Sequence, residues 1–153
     1  MSTFTRFSAI QQLQYDQASS RAYNKSLWKL VPGFRYYVGS EDSGIYVDVP
    51  TGFLTDGATI PRFLWWLLPP IDEYSQATTL HDLLCSLYEV TVVKNGLPTQ
   101  VKINRKEVDR ILDEAMGVLE VTPWKRKLIM AGVNLYRLVN NPTKPKPLVD
   151  SIS

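Results

Sequence analysis

The chain has little of what usually identifies a catalytic or metal-binding protein. Its 153 residues include one cysteine, Cys85, and one histidine, His81. A single cysteine excludes an internal disulfide, and the apolar stretch around it favours a buried, inert thiol. A single histidine excludes a zinc site with several histidine ligands. The sequence also has no Walker loop, no His-Glu-x-x-His motif and no Gly-x-Ser-x-Gly motif.

Long apolar runs and a strong net charge are also missing. No uninterrupted apolar run approaches the ~20 residues needed to cross a bilayer, so we expect no membrane span. The first residues lack the basic and apolar regions of a secretory signal. The formal net charge is +2, which is too weak to indicate a nucleic-acid partner. The length and the 44% hydrophobic content are typical of one compact globular domain.

The residue pattern predicts an α+β fold with one small antiparallel sheet. We expect an N-terminal arm (1–26), a single α+β domain (27–140) and an extended C-terminal tail (141–153). Asn95-Gly96 lies between two runs rich in β-branched residues, which indicates a hairpin. Alternating apolar residues and turn residues predict earlier strands over 26–31, 34–38 and 44–49. The sheet would come from the N-terminal half and pack on a mostly helical C-terminal half.

Apolar residues at helical spacing predict the helices of the second half. The predicted helices cover residues 61–68, 73–88, 105–119 and 123–139. Asn104 and Glu107 form a variant of the capping box at the start of the third. The apolar stripe of the fourth consists of Trp124, Leu128, Ala131, Leu135 and Val139.

Two polar clusters in apolar surroundings are the strongest candidates for a functional site. Asp56 lies in a loop before a predicted helix, and His81-Asp82 lies within one. Burial of such groups is costly unless they are paired or bind a metal. Asp109, four residues after Arg105, borders the apolar face of its helix. Asp56, His81, Asp82 and Asp109 could therefore form one catalytic network.

Each of these residues also has a structural interpretation. Asp56 could be a turn aspartate that accepts backbone hydrogen bonds. His81 could be a satisfied core histidine, and Arg105–Asp109 could be a simple helix ion pair. Cys85 lies four residues after His81 on the same helix face, but nothing else in the sequence indicates a thiol nucleophile.

A divalent metal is compatible with part of the same cluster. Asp56, His81 and Asp82 would supply oxygen and nitrogen ligands suited to Mn, Mg or Zn. The sequence defines no other cofactor. With only one histidine, such a site would be rich in oxygen ligands.

Two further groups are candidates for binding a partner. Trp65 and Trp66 either pack in the core or form an exposed docking patch. Lys125, Arg126 and Lys127 begin the last helix, where cations oppose the helix dipole. They either form a solvated face or contact an acidic protein surface, nucleic acid or a cell-wall polymer.

The chain resembles a family of uncharacterised proteins found mainly in tailed bacteriophages and prophages. The family pattern is an Asp-Gly/Leu-Ala-Ser/Thr-Ile-Pro loop, a His-Asp helix and an Arg-x-x-x-Asp helix ending in Ala-Met. Here these motifs are Asp56 to Pro61, His81-Asp82, and Arg105 to Asp109 with Ala115-Met116. The resemblance covers roughly residues 44–137. The resemblance implies a phage origin and a set of polar residues shared with the family, but no particular reaction.

Two functions follow as hypotheses. The first is a virion or tail-associated component that docks to other phage proteins, assembled in the host cytoplasm and located in the virion. The alternative is a small, metal-dependent or metal-free hydrolase directed at the cell wall. Convergence of Asp56, His81 and Asp82 or Asp109 beside an open cleft would favour the enzyme. Saturation of these groups in a closed interior would favour a structural role.

Overall fold

The computed structural model describes residues 6–57, 66–69 and 71–140. The predicted tail (141–153), Trp65 and most of the predicted helix 61–68 lie outside these ranges. In chain order the described elements are β1 (Leu13–Tyr15), α1 (Gln17–Tyr23), β2 (Trp28–Leu30), β3 (Phe34–Tyr37), β4 (Ile45–Val49), β5 (Leu54–Thr55), α2 (Ser75–Leu87), β6 (Glu89–Lys94), β7 (Leu97–Lys102), α3 (Arg105–Val118) and α4 (Pro123–Asn140). The predicted α+β class is confirmed.

The strands form two antiparallel sheets instead of the single sheet expected from the sequence. One sheet has the order β1-β2-β5 and the other has the order β3-β4-β6-β7. The chain leaves the first sheet at the turn that contains Gly33. This turn packs tightly against the end of β4 and the residues that follow it. A Cβ atom added to Gly33 would lie 2.5 Å from the Val49 carbonyl oxygen. This close approach lets β3 turn away from β2 and pair with β4.

The described part of the predicted N-terminal arm belongs to the packed fold. Phe7 is buried, and its ring centroid lies 4.7 Å from that of Tyr36 in β3. β1 pairs with β2, so Leu13 lies opposite Leu30. Arg6 Nη2 lies 2.7 Å from Glu114 Oε1 in α3. A domain boundary at residue 26 therefore does not separate this segment from the core.

The hairpin and the α3 cap agree with the sequence prediction. β6 and β7 pair from Glu89–Lys102 to Lys94–Leu97. Asn95 and Gly96 both have positive φ, at 52° and 77°, as the favoured two-residue hairpin turn requires. At the start of α3, Asn104 Oδ1 accepts a hydrogen bond from the Glu107 amide at 2.9 Å.

α2 and α3 supply most of the helical core. Ten of the 13 residues of α2 are buried, including His81. α3 buries five apolar residues and one charged residue, Asp109. The two helices pack together along these faces, so the charge of Asp109 lies inside the domain. This placement makes the α2–α3 contact the central feature of the candidate site.

α4 packs on the domain with a different face from the one that its sequence pattern indicates. An apolar stripe normally faces the core, but the predicted stripe faces solvent here. Ile129, Met130 and Val133 pack against the core instead. None of the 18 residues of α4, all of which the structure describes, is fully buried. α4 therefore has two apolar faces, and only one of them is covered.

No helix among the described residues is long and apolar enough to cross a membrane.

Candidate functional site

A buried charge network centred on Asp109 joins α2, α3 and α4. His81 Nε2 and Arg105 Nε lie 2.7 and 2.9 Å from Asp109 Oδ1. Arg137 Nη1 lies 2.9 Å from Asp109 Oδ2. Asp109 is fully buried, so both carboxylate oxygens are engaged inside the protein. An ionised carboxylate only accepts hydrogen bonds, and all three neighbours donate to it.

Three local features hold the donors in place. His81 lies in the middle of α2, on the face that packs against α3. Arg105 is the first residue of α3, directly after the Asn104 cap, and its guanidinium lies 5.3 Å from the ring centroid of Tyr136. Arg137 is positioned from α4, where its second terminal nitrogen donates to Asn134 Oδ1 at 3.1 Å. The network therefore fixes the relative positions of three helices.

The electrostatics of the network favour the charged forms. Burial alone raises the pKa of Asp109, but the hydrogen bonds and charges of His81 and Arg105 outweigh it, so the pKa of Asp109 is lowered. Burial opposes the charge of Arg105, whereas Cys85 and Asp109 favour it, so the pKa of Arg105 is raised. Asp109 and Arg105 are therefore a stable ion pair at neutral pH.

Cys85 lies beside His81 but not in the geometry of a thiol–imidazole dyad. Its Sγ is 3.7 Å from both His81 Nδ1 and His81 Nε2. An equal distance to both nitrogens at van der Waals range places the sulfur over the ring face. A base that removes the thiol proton would accept it along the in-plane lone pair of one nitrogen. The contact therefore indicates packing of a buried cysteine.

Asp56 and Asp82, the other two predicted members, make contacts outside the Asp109 network. Thr55 Oγ1 donates to Asp82 Oδ2 at 3.5 Å, and it accepts from the Gly57 amide at 3.0 Å. Asp56 lies at the surface, with its Oδ2 3.5 Å from Lys25 Nζ. His81 and Asp82 follow one another on a helix, so their side chains diverge by ~100°. The structure thus brings His81 and Asp109 together and directs Asp56 and Asp82 to other contacts.

The metal-binding prediction gains no support from this geometry. Within residues 6–57, 66–69 and 71–140, no three His, Cys, Asp or Glu side chains are grouped as ligands for a metal ion. The predicted ligands Asp56, His81 and Asp82 are therefore not assembled as a set. The physical reason is that the ring of His81 points at Asp109 and the carboxylate of Asp56 points at the surface.

The basic start of α4 is explained by tertiary ion pairs. Lys125 Nζ lies 2.6 Å from Asp72 Oδ2, and Arg126 Nε lies 2.7 Å from Asp113 Oδ1. Gly117 leaves room for Arg126, because a Cβ there would come within 2.9 Å of its Nη1. Two of the three cations predicted to bind a partner therefore hold α4 against its own domain. Lys127 is exposed.

A shallow groove of about 570 Å³ runs between α3 and the start of α4. It is lined by Asp113, Val121, Pro123, Arg126, Lys127, Met130, Ala131 and Asn134. The groove does not open onto the Asp109 network, whose residues are not among its lining. The buried charges and this groove are therefore separate features.

The sequence prediction missed Arg137 as a member of the network. For Trp66 it left two options open, core packing or an exposed docking patch. Arg137 lies 28 residues from Asp109, so no helical spacing connects them. Trp66 is 82% exposed, which excludes core packing for this residue.

The chain belongs to the DUF1353 family, described as a protein of unknown function, which it matches over residues 28–133. This match includes β2 to most of α4 and therefore the whole of the Asp109 network except Arg137. No curated protein and no solved structure matches the chain. The predicted membership of an uncharacterised family is thus confirmed.

Proposed function

We propose that this protein is a bacteriophage assembly component, associated with the virion or tail, that binds protein partners through an exposed face of α4. This surface, called the outer face of α4, consists of Trp124, Leu128, Ala131, Gly132, Leu135, Leu138 and Val139. It is the predicted apolar stripe of the helix together with two neighbouring positions. Its exposure is the observation that carries the proposal.

The outer face is too apolar to be an ordinary solvated surface. Leu135, Leu138 and Val139 are 62%, 79% and 73% exposed, and Trp124 and Leu128 are 43% and 46% exposed. Single exposed apolar residues are common, but a contiguous set of large ones usually marks a site of protein association. Covering this area would stabilise a complex by removing it from water, at roughly 25 cal/mol per Å² before the cost of association.

The buried network supports a structural role for the polar residues. Both oxygens of Asp109 are occupied by donors from three helices. A buried carboxylate in this state has no open position for a substrate. This arrangement favours the assembly function over the hydrolase, for which Asp109 and His81 would need to reach a cleft.

The phage origin rests on the sequence motifs. The loop at Asp56, the His81-Asp82 helix and the Arg105–Asp109 helix occur in the order typical of the phage and prophage family that the chain resembles. His81, Arg105 and Asp109 form one cluster, so the two helix motifs share a structural role, whereas Asp56 makes a separate surface contact.

Analysis of phage particles tests the proposed function. Particles would be purified from the phage or induced prophage that encodes the chain, and their proteins identified by mass spectrometry. We expect this chain in the virion, in the tail or in a tail-assembly intermediate. Its absence from all three fractions would contradict the proposal.

A matched pair of variants links the particle result to the outer face. Leu135→Glu should reduce incorporation by at least ~10-fold, because a charge in a covered apolar contact is strongly unfavourable. Leu97→Glu in β7 is the control, since Leu97 is 68% exposed on a different element. Circular dichroism of both purified variants checks that the fold is retained.

The cell-wall hydrolase stays a prediction with its own test. The purified chain would be incubated with peptidoglycan, with and without Mn²⁺, Mg²⁺ or Zn²⁺, and soluble fragments measured. Release of fragments that is lost in His81→Ala with the fold retained would support the hydrolase. Loss of folding in that variant would instead identify His81 as structural.

A further inference from the structure

We propose that the partner on the outer face of α4 is a second copy of this chain. The two α4 helices would pack antiparallel about a two-fold axis that passes between Ala131 and Gly132. This inference deepens the proposed function and rests on its assignment of the outer face to a protein partner. Two properties of the face support a second copy, its reversal symmetry and its area, and its charge is compatible with one.

The outer face reads nearly the same in both directions along the helix. Ala131 and Gly132 are at its centre, Leu128 and Leu135 lie at equal distances on either side, and Trp124 and Val139 lie at equal distances further out. In a two-fold interface, residue i contacts residue j and residue j contacts residue i. A reversed second copy therefore places Leu128 of each chain opposite Leu135 of the other. It also places Trp124 opposite Val139.

The charge distribution is compatible with the antiparallel arrangement. α4 has four cations and no acidic residue, but Lys125, Arg126 and Arg137 are bound to carboxylates of their own chain. Lys127 is left as the charged residue at the margin of the outer face. In the antiparallel pair the two Lys127 side chains are separated by nine residues, or ~13 Å along the axis, beyond the ~8 Å screening length of physiological salt.

The size of the face is sufficient for a specific dimer. Each copy contributes five large apolar side chains that are 43% to 79% exposed. Two copies contribute ten, which brings the buried area to the order of the ~1,000 Å² that a specific interface needs. At the centre, a Cβ on Gly132 would meet nothing within 4 Å of its own chain. The second helix can therefore approach closely there.

Sedimentation equilibrium of the purified full chain tests the pairing. We expect a mass near twice the 17.4 kDa of one chain. Leu135→Glu should weaken the dimer by ~100-fold or more, because Leu135 contacts the second copy at two symmetric positions. Leu97→Glu on β7 should leave the dimer unchanged. A wild-type monomer, or equal loss in both variants, would overturn the inference.

Cysteine cross-linking tests the direction of the helices. The native Cys85 is buried, so a cross-link reports on the introduced residue. Ala131→Cys lies next to the proposed axis and should form an intermolecular disulfide under mild oxidation. In Leu128→Cys the two introduced cysteines would be ~10 Å apart along the helix axis. This distance exceeds disulfide reach, so this variant should not form the cross-link. Cross-linking of both variants would indicate parallel helices and overturn the antiparallel pairing.

The two proposals fail in different ways. A monomeric chain that is present in phage particles would overturn the pairing and leave the assembly function intact. A dimer that is missing from every particle fraction would overturn the assembly function and leave the pairing intact.

Discussion

The Asp109 network, called the Asp109 junction below, and the outer face of α4 lie on opposite sides of the last helix. Charged groups are usually exposed and large apolar groups are usually buried, and each region departs from that rule. The junction puts charged groups inside the protein, where burial is costly. The outer face leaves large apolar side chains in water. In the junction each charge has a partner of its own chain. The outer face lacks such partners among the described residues, and this contrast supports the proposal that the face binds another protein.

The largest effect should come from breaking the junction. Asp109→Asn removes the buried carboxylate charge and leaves the partly buried Arg105 and Arg137 without it, which should cost ~3–5 kcal/mol of unfolding free energy. Asp113→Asn, in the same helix, is the control. Its ion pair with Arg126 is 44% and 37% exposed, so the cost should be ~0–1 kcal/mol. Urea denaturation at pH 7 measures both, and equal costs would show that the junction is not a special site.

The stability of the wild type and that of Asp109→Asn should depend differently on pH. The folded pKa of Asp109 lies below that of an unfolded aspartate, which is ~3.9. Its stabilisation is therefore full above pH ~4 and is lost as the pH falls through the folded pKa. The difference in unfolding free energy between wild type and Asp109→Asn should shrink on acidification from pH 5 to pH 2.5. A difference that stays constant over this range would contradict the lowered pKa.

An intermediate effect is expected at Arg137, the residue through which α4 joins the Asp109 junction. Arg137→Met keeps the aliphatic contact but removes the hydrogen bonds to Asp109 and Asn134, which should cost ~1–3 kcal/mol. Arg126→Met, whose partner Asp113 is half exposed, should cost ~0–1 kcal/mol. Thermal unfolding of both variants tests the order. A smaller loss for Arg137→Met than for Arg126→Met would mean that the contact between Arg137 and Asp109 contributes little to holding α4 in place.

The smallest effect on the isolated monomer should come from the outer face. Leu138 is 79% exposed, so Leu138→Gln should change the unfolding free energy by no more than ~0.5 kcal/mol. Leu112→Ala, at a buried site in α3, should cost ~2–5 kcal/mol. The measurement is made in dilute solution, where the proposed dimer would dissociate. A large loss for Leu138→Gln there would place this residue in the fold of the monomer.

Local sequence determined the elements that depend on local interactions. The α3 start follows from Asn104, whose side chain caps a neighbouring amide. The β6–β7 turn follows from Asn95-Gly96, which tolerate positive φ. The positions of α2, α3 and α4 follow from apolar spacing. His81 and Asp109 could be selected from the sequence, because polar groups among apolar neighbours need a partner.

The tertiary structure decided which face of α4 packs on the core and which contacts join distant parts of the chain. α4 has apolar residues on two faces, so its hydrophobic pattern does not define which face packs on the core. In the folded domain Ile129, Met130 and Val133 pack on the core. The ion pairs of Lys125 with Asp72 and of Arg126 with Asp113 form in the same orientation, and they join residues that are 53 and 13 positions apart. The contact of Arg137 with Asp109 likewise joins distant positions. The sequence thus defines the helix and its apolar residues, and the fold turns the predicted stripe toward solvent.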